Sequence, residues 1–422
     1  MKKKQKFVLS MLIGLSILGI AACSKSGDQS QREDNTTLTL YSWDTKTVMQ
    51  PALDAFQDKY PDVTIEFSNK PPVDEYVQGL QTKLLSKTAA DVFVMGAENK
   101  TNLITSGNVA DLSEFSFMDN LNETNKNLYS SEGKVYSASI SSWGGGIAYN
   151  KEILKEIGVE EFPTTWEEFI ELCLKLKESG INPYYEGGQS GNFMSLSALI
   201  GSNYARRGGI RDEEIFDGTT TFSSEYIEAL EMWNELNEKE IFTQDILGLS
   251  DDQIINEFIN GNVAMVCMGP WNVSTVRTSN PDLDFEIAPV PGKEVGDEYA
   301  AGAPSPGYSI NANAKNPELA AKFVEFMTTP EAAVALNGDG SSNNMYTIEG
   351  TENVNSTLDS SLLSINQVVQ DGKIYLAQMT WPAYQDILTT HFRSQLQELI
   401  QGKTTPEDVL KSMDDKLSEL MK

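Results

Sequence analysis

Histidine is almost absent from this 422-residue chain, with His391 its single example. That excludes HExxH helices and every metal site built on several imidazoles. His391 itself falls in a predicted helix and is expected to be a surface or core residue. Cysteine is nearly as scarce, and Cys23, Cys173 and Cys267 are too few for a disulfide framework. Basic residues are in deficit: 32 Lys plus Arg face 61 Asp plus Glu, for a formal charge of −29. A phosphate backbone must be neutralised by clustered cations, so no nucleic-acid partner is expected. Anionic lipid surfaces are disfavoured for the same reason.

The familiar loops of nucleotide, hydrolase and calcium sites are missing too. Gly402-Lys403-Thr404 has the ending of a P-loop, but Gln397 stands where the first glycine belongs. Gly188-Gln189-Ser190-Gly191 places its glycine one position early for a nucleophile elbow. Asn337-Gly338-Asp339-Gly340 resembles part of a calcium loop without the required Glu and reads as a turn. No cofactor is expected. With 61 carboxylates an acid pair of the glycosidase kind is not excluded by counting, and nothing singles one out.

What is present is an ordinary globular composition, 40% hydrophobic and 9% aromatic, at a length that calls for two lobes. The N-terminus reads as an address. Lys2, Lys3, Lys4 and Lys6 precede an apolar stretch from Phe7 to Ile20, followed by Ala21, Ala22 and Cys23. This is the pattern of a signal peptide over residues 1–22. Ile20-Ala21-Ala22-Cys23 also resembles a bacterial lipobox, in which the Cys23 thiol receives a diacylglyceryl group. A plain secretory signal with an incidental cysteine is the competing reading. Several acyl chains anchor durably where one does not, because each buried CH₂ contributes about 0.8 kcal/mol. Residues 23–37 then form a polar tether. Removing residues 1–22 takes away four lysines and no acids, so 28 basic residues face 61 acids and the charge becomes −33.

Beyond the tether, hydrophobic periodicity alternates between 2 and 3.6. Leu38 and Leu40 lead to Trp43-Asp44, and a helical segment carries Ala52, Leu53 and Phe56. Val63, Ile65 and Phe67 alternate, and a second helical segment (Tyr76, Val77, Leu80, Leu84) precedes the continuous apolar run Val92-Phe93-Val94-Met95. That β-α-β-α-β order predicts a parallel sheet whose ligands sit at the carboxyl ends of its strands. Those ends are Trp43-Asp44 and Glu98-Asn99. Gly144-Gly145-Gly146 and the Pro- and Gly-rich stretch from Ile287 to Pro306 suggest crossings between lobes. Thr165 to Glu168 fits a capping box opening an amphipathic helix, which makes Cys173 a buried thiol, and Cys267 reads the same way. Asn316-Pro317 opens another helix, and an amphipathic helix from Pro406 ends the chain.

Aromatic residues beside amides and carboxylates stand out at predicted strand ends and loops: Trp43-Asp44, Trp143, Trp271-Asn272, and Trp381 with Tyr384. A sugar ring offers a flat C–H face to an aromatic and a rim of hydroxyls to polar side chains. The combination suits carbohydrate, with core or hinge packing the alternative for any one of these tryptophans. Trp166 and Trp233, inside amphipathic helices, are assigned to the core.

Five segments in order carry a resemblance over nearly all of residues 38–421: Phe56 to Pro61, Gly133 to Tyr136, Tyr149 to Lys151 with Pro163 to Glu168, Phe258 to Met265 with Gly269-Pro270-Trp271, and Asn316 to Met327. Together they resemble the family 1 extracellular solute-binding proteins of ABC importers, the group that includes maltose-binding protein. The resemblance implies two α/β lobes of the type II periplasmic-binding kind, joined by three hinge crossings, with ligand held between them. It implies a first lobe from 38–144 and 299–340, and a second from 145–298 and 341–422. It implies a non-enzymatic, monomeric receptor that captures a carbohydrate and docks on permease subunits driven by an ATPase. On a lipid anchor, the setting would be the outer face of a Gram-positive cell membrane.

The implied ligand set is Trp43, Asp44, Glu98 and Asn99 from the first lobe, and Gln189, Asn192, Trp271, Asn272, Trp381 and Tyr384 from the second. At Ser141-Ser142-Trp143 the chain departs from the usual Pro-rich, aliphatic pattern, which makes Trp143 a ligand platform peculiar to a subgroup. Two alternatives accompany this reading. Arg206, Arg207 and Arg211 could clamp an anionic sugar or phosphate ester, unless they form a solvated basic loop. A surface glycoside hydrolase is the other.

Overall fold

The structure, a computed structural model, describes residues 36–422 apart from 72, 98, 338–342 and the side chain of Asp74. The predicted signal segment, Cys23, nearly all of the tether and Glu98 lie outside the described residues.

Along the chain the strands are β1 (Thr37–Ser42), β2 (Thr64–Asn69), β3 (Val92–Met95), β4 (Ser130–Ser131), β5 (Lys134–Val135), β6 (Ser141–Asn150) and β7 (Asn182–Tyr185). They continue as β8 (Val263–Met268), β9 (Phe285–Ala288), β10 (Ala300–Pro304), β11 (Gly307–Ile310), β12 (Met345–Tyr346) and β13 (Ile374–Tyr375). Helices fill most of the rest.

The predicted β-α-β-α-β opening is present. β1 lies between β2 and β3, parallel to both, and β11 closes the far edge antiparallel to β3. All four residues of β3 are buried, as an apolar run covered on both faces should be, whereas β2 alternates and lies at an edge. Asp91 pins this sheet together: its carboxylate accepts the Thr39 amide and hydroxyl on one side and the Lys315 amide on the other. Asn316 stands at the predicted cap position, but its side-chain amide donates to the Thr37 carbonyl and not to its own helix.

The second sheet runs β13-β10-β6-β8-β7, with β9 and β12 also paired to β6. Its two faces are covered separately. Ile147 and Ala301 pack with the helix Met194–Arg206, whereas their neighbours Ala148 and Ala300 pack with the helix Leu363–Gln370. The predicted capping box at Thr165 and Glu168 is formed, and Trp166 and Trp233 are buried at 2% and 0% exposure. Cys173 is buried, and Cys267 is partly so.

β6 is one physical link between the lobes. Ile140, immediately before it, belongs to the first core and Ile147 within it to the second, so the chain passes from one to the other along this strand. Its glycines permit close approach: a β-carbon on Gly146 would stand 2.1 Å from the Ala288 carbonyl oxygen, and one on Gly144 2.7 Å from Val369 Cγ2.

Two expected lobe boundaries are corrected. Ala300 and Ala301 pack with the second lobe, because β10 extends that sheet through β6. Tyr346, Ile348 and Val354 pack with the first, because β12 pairs with Ser141 and Ser142 at the first-lobe end of β6. The chain therefore re-enters the first lobe after Pro304 and leaves it beyond Val354.

Candidate functional site

Trp143 projects from the crossing strand and meets Trp271 edge to face, with ring centroids 5.6 Å apart and planes at 76°. Trp143 is half-buried and Trp271 is 54% exposed, the largest aromatic surface left open among the described residues. The local sequence explains that exposure. β8 ends at Met268, Gly269 turns the chain, and Pro270 starts a ten-residue helix with a fixed φ suited to a first turn. The Trp271 indole folds back over Gly269, where a β-carbon would stand 2.3 Å from Cη2 and Cζ3. Asn272 is partly engaged in the same turn, its Oδ1 accepting the Gly269 amide at 3.4 Å.

In the first lobe a second aromatic group stands at the carboxyl end of β1. Trp43 meets Tyr76 edge to face at 5.2 Å, and Tyr76 stacks on Tyr41 at 4.8 Å. Tyr76 is held by its hydroxyl, which donates to the Val94 carbonyl and accepts the Val94 amide. Beside it, half-buried Asp44 accepts the Ser42 hydroxyl at 3.1 Å, and burial pushes its carboxyl above the usual range. Among the described residues no Lys or Arg forms an ion pair with Asp44. Asn99 is buried; its Oδ1 accepts the Gly96 amide and its Nδ2 has no hydrogen-bond partner. Trp43 and Asp44 follow β1 and Asn99 follows β3; Asp44 keeps acceptor capacity, and the buried Asn99 Nδ2 is a donor without a partner. Among the described residues no ring contact joins this group to the Trp143 and Trp271 pair.

The loop Tyr185 to Asn192, which carries the expected contacts Gln189 and Asn192, is fixed by its own lobe. Gln189 donates through Nε2 to the Gly248 carbonyl, Ser190 donates to Asp251, and Gln397 donates to the Gln189 carbonyl. Gly188 has φ +38°, and a β-carbon there would meet the Leu249 carbonyl oxygen at 2.2 Å. Asn192 is half-buried and its side chain makes no hydrogen bond among the described residues. Tyr384 is 39% exposed and sits in the left-handed region at φ +58°, at the start of the helix Gln385–Ile400. A non-glycine residue there stores strain that its surroundings must hold.

Trp381 is a correction. Its indole is 1% exposed, donates through Nε1 to the Tyr226 hydroxyl at 3.0 Å and packs edge-on to Phe222 at 5.6 Å. The one-turn helix Ala377–Thr380 turns the ring inward, so it offers no face to a ligand in this structure. The arginine clamp is corrected as well. Arg206 pairs with Glu228 and Asp297, Arg207 with Glu225, and Arg211 with Glu214 and Glu225. All three guanidiniums are neutralised within the second lobe, and none is left open to an anion.

Sequence reasoning missed two features. Asp212, 1% exposed, accepts hydroxyls from Tyr204 and Tyr226 on Oδ1 and from Tyr375 and Thr380 on Oδ2; burial raises its carboxyl above the usual range. Beside this knot lies a cleft of about 820 Å³, bounded by first-lobe residues such as Lys100 and Leu128 and second-lobe residues such as Ile210 and Tyr375. Of the residues nominated from sequence as ligand contacts, only Arg211 of the alternative anion clamp is among those that line it. Tyr299, next to a predicted crossing, was the one aromatic signal that could have pointed there.

Comparison with known proteins gives a consistent picture. The family model described as bacterial extracellular solute-binding protein matches residues 42–334. A "Multiple sugar-binding protein" of Streptococcus mutans serotype c is 25% identical over 342 residues, which cover 79% of this chain and 80% of that protein. The structure of a family 1 extracellular solute-binding protein from Bifidobacterium longum subsp. infantis superposes with a TM-score of 0.81 at 27% identity, covering 91% of this chain and 99% of that one. The apo form of RafE from Streptococcus pneumoniae gives 0.73 at 20% identity, covering 91% and 97%. With its two lobes in the type II periplasmic-binding arrangement, the chain belongs to the family of bacterial extracellular solute-binding proteins.

Proposed function

We propose that this protein captures an oligosaccharide between its lobes and delivers it to the membrane permease of an ABC importer, without chemical change to the sugar. The carrying observation is the corner formed by Trp143, on a strand that links the lobes, and Trp271, two indoles at 76° with the outer one 54% exposed. An exposed aromatic of that size is suited to the C–H face of a pyranose, a contact that needs no charge. Trp43, Asp44 and Asn99 supply hydrogen bonds from the first lobe, with Glu98 beside them in sequence. Asn192, Asn272 and Tyr384 add polar and aromatic contacts from the second, and Gln189 lines the fixed loop. A Kd near 1 μM corresponds to about −8 kcal/mol, within reach of two stacking faces and several hydrogen bonds. Closure follows if the ligand contacts both lobes, since only differential affinity shifts a conformational equilibrium.

The sugar-binding relative in Streptococcus mutans supports the ligand class. Pairing of all three arginines argues against the anionic alternative. The deciding experiment is a thermal-shift screen over raffinose, stachyose, maltotriose and related sugars, with product analysis of each mixture. Ligand at about 100 times its Kd adds about 2.7 kcal/mol of stability. Stabilisation with unchanged sugar is expected; new reducing ends would sink the receptor reading in favour of a hydrolase. The lipid anchor belongs to the same proposal, on a Gram-positive surface: Cys23→Ser releases the protein into the medium, and continued membrane retention of that variant disproves the anchor.

A further inference from the structure

We propose, on the reading of a receptor whose lobes close, that Asn125 is a positioning residue for closure: it clamps two crossings on the first-lobe side and so fixes the step at which the chain bends. Asn125 lies in the short helix Glu123–Leu128, which is anchored in the first core through Leu128 and through Leu121 just before it. Its backbone amide donates to the Asn122 side chain at 2.8 Å, the cap that starts the helix. Its side chain is buried, at 0% exposure, and uses both ends of its amide. Nδ2 donates toward the Ser139 carbonyl at 3.2 Å, the Ser139 hydroxyl at 3.1 Å and the Ser141 carbonyl at 3.0 Å, and Oδ1 accepts the Ser142 hydroxyl at 2.9 Å. The Ser139 hydroxyl passes the restraint on by donating to the Ser305 carbonyl at 2.6 Å, which also accepts the Tyr129 hydroxyl at 3.1 Å. The Ser305 amide donates back to the Ser141 carbonyl at 2.8 Å. One first-lobe side chain thus holds the approach to β6 and the exit from β10 as a unit.

The same helix holds the second lobe by less, through a Thr124 hydroxyl that donates to the Gly372 carbonyl at 3.3 Å. Buried bonds from Asn125 outweigh that single long one, so the helix stays with the near ends of the crossings and the second lobe turns against it. The clamp stops at Ser142, which pairs with Pro304. Beyond Trp143 and Ala303, the next register places Gly144 opposite Gly302, where neither strand carries a side chain. A β-carbon on Gly302 would stand 2.0 Å from the Trp143 carbonyl oxygen, so only bare backbone fits between the strands at this step. Hinges form where a few residues absorb the change in φ and ψ. The bend falls at Gly144 and Gly302, and Trp143 is carried on the clamped side.

Pulsed dipolar spectroscopy on the sugar-free full chain carrying Cys23→Ser tests the clamp. Nitroxides are attached to ketone-bearing residues in place of exposed Leu85 and Val295, one in each lobe, so that Cys173 and Cys267 stay as they are. The distribution of distances between the lobes should widen about twofold in Asn125→Ala relative to the parent, and by less in Ser142→Ala, which removes one bond. A residue that only supported the fold would lower the melting temperature and leave that width alone. Where far-UV dichroism shows that Asn125→Ala does not fold, Ser142→Ala and Ser139→Ala carry the decision. An unchanged width in the folded variants overturns the proposal. Because no sugar is present, that result leaves the receptor reading standing, and a failed sugar screen leaves the clamp standing.

Discussion

The Trp271 indole lies over Gly269 so closely that no side chain fits beneath it, with 2.3 Å separating its Cη2 and Cζ3 from where a β-carbon would stand. Gly269→Ala must therefore rotate the indole away from Trp143. The expected result is loss of sugar-induced stabilisation, matching Trp271→Ala, while the ligand-free melting temperature stays close to that of the parent. A thermal shift of undiminished size in either variant would refute the corner as a ligand platform.

Trp381 behaves oppositely. As a core residue bonded to Tyr226, its replacement by Ala should cost about 3–5 kcal/mol in denaturant unfolding. Trp381→Phe should be milder and leave sugar affinity unchanged. A binding defect in a well-folded Trp381→Phe protein contradicts the core assignment.

Asp212 links stability to pH. Its carboxyl is raised by burial, so the folded state holds its proton at a pH where the unfolded chain has released it. Its contribution is fully present below the ordinary aspartate range and lost as pH rises through the raised folded value. Buried Glu186, raised for the same reason, acts in the same direction. Melting temperature should climb as pH is lowered from neutral toward the ordinary carboxylate range, and Asp212→Asn should flatten part of that climb. An identical slope in the variant removes Asp212 as its source.

Asp359 works against that trend. Arg277 donates to both of its oxygens, at 2.9 and 2.8 Å, and together with the Ser361 amide and hydroxyl holds its carboxyl down at about 2. This contribution is present above the ordinary aspartate value and lost as pH falls through about 2. Arg277→Met should therefore destabilise at neutral pH and progressively less in strong acid. Equal destabilisation at both ends would mean that the loss is packing against Phe285, over which the guanidinium sits at 4.4 Å.

Legibility followed the reach of each signal along the chain. β1, β2 and β3 were readable because period-2 and continuous apolar runs are local, and Trp166 fell correctly because its helical stripe is local too. Trp381 lay in a segment with one turn of helix and no period to orient it. The Asp212 knot was invisible because its donors lie at 204, 226, 375 and 380, up to 168 residues away, with no pattern tying them to the acid. The arginines near Gly208 looked open since their partners at 225, 228 and 297 come from other turns of the chain. Lobe boundaries shifted for a related reason: a short crossing strand joins whichever sheet its neighbours complete.

One consequence of β6 concerns timing. Trp143 stands at the fulcrum, where a swing of one lobe against the other moves atoms least. On the proposed site, a sugar resting on Trp143 and Trp271 would keep that contact through the whole excursion, so first capture and final closure would share one anchor point. The encounter complex would then be a distinct, weaker species formed before the first lobe arrives, with the later lobe adding residence time more than recognition.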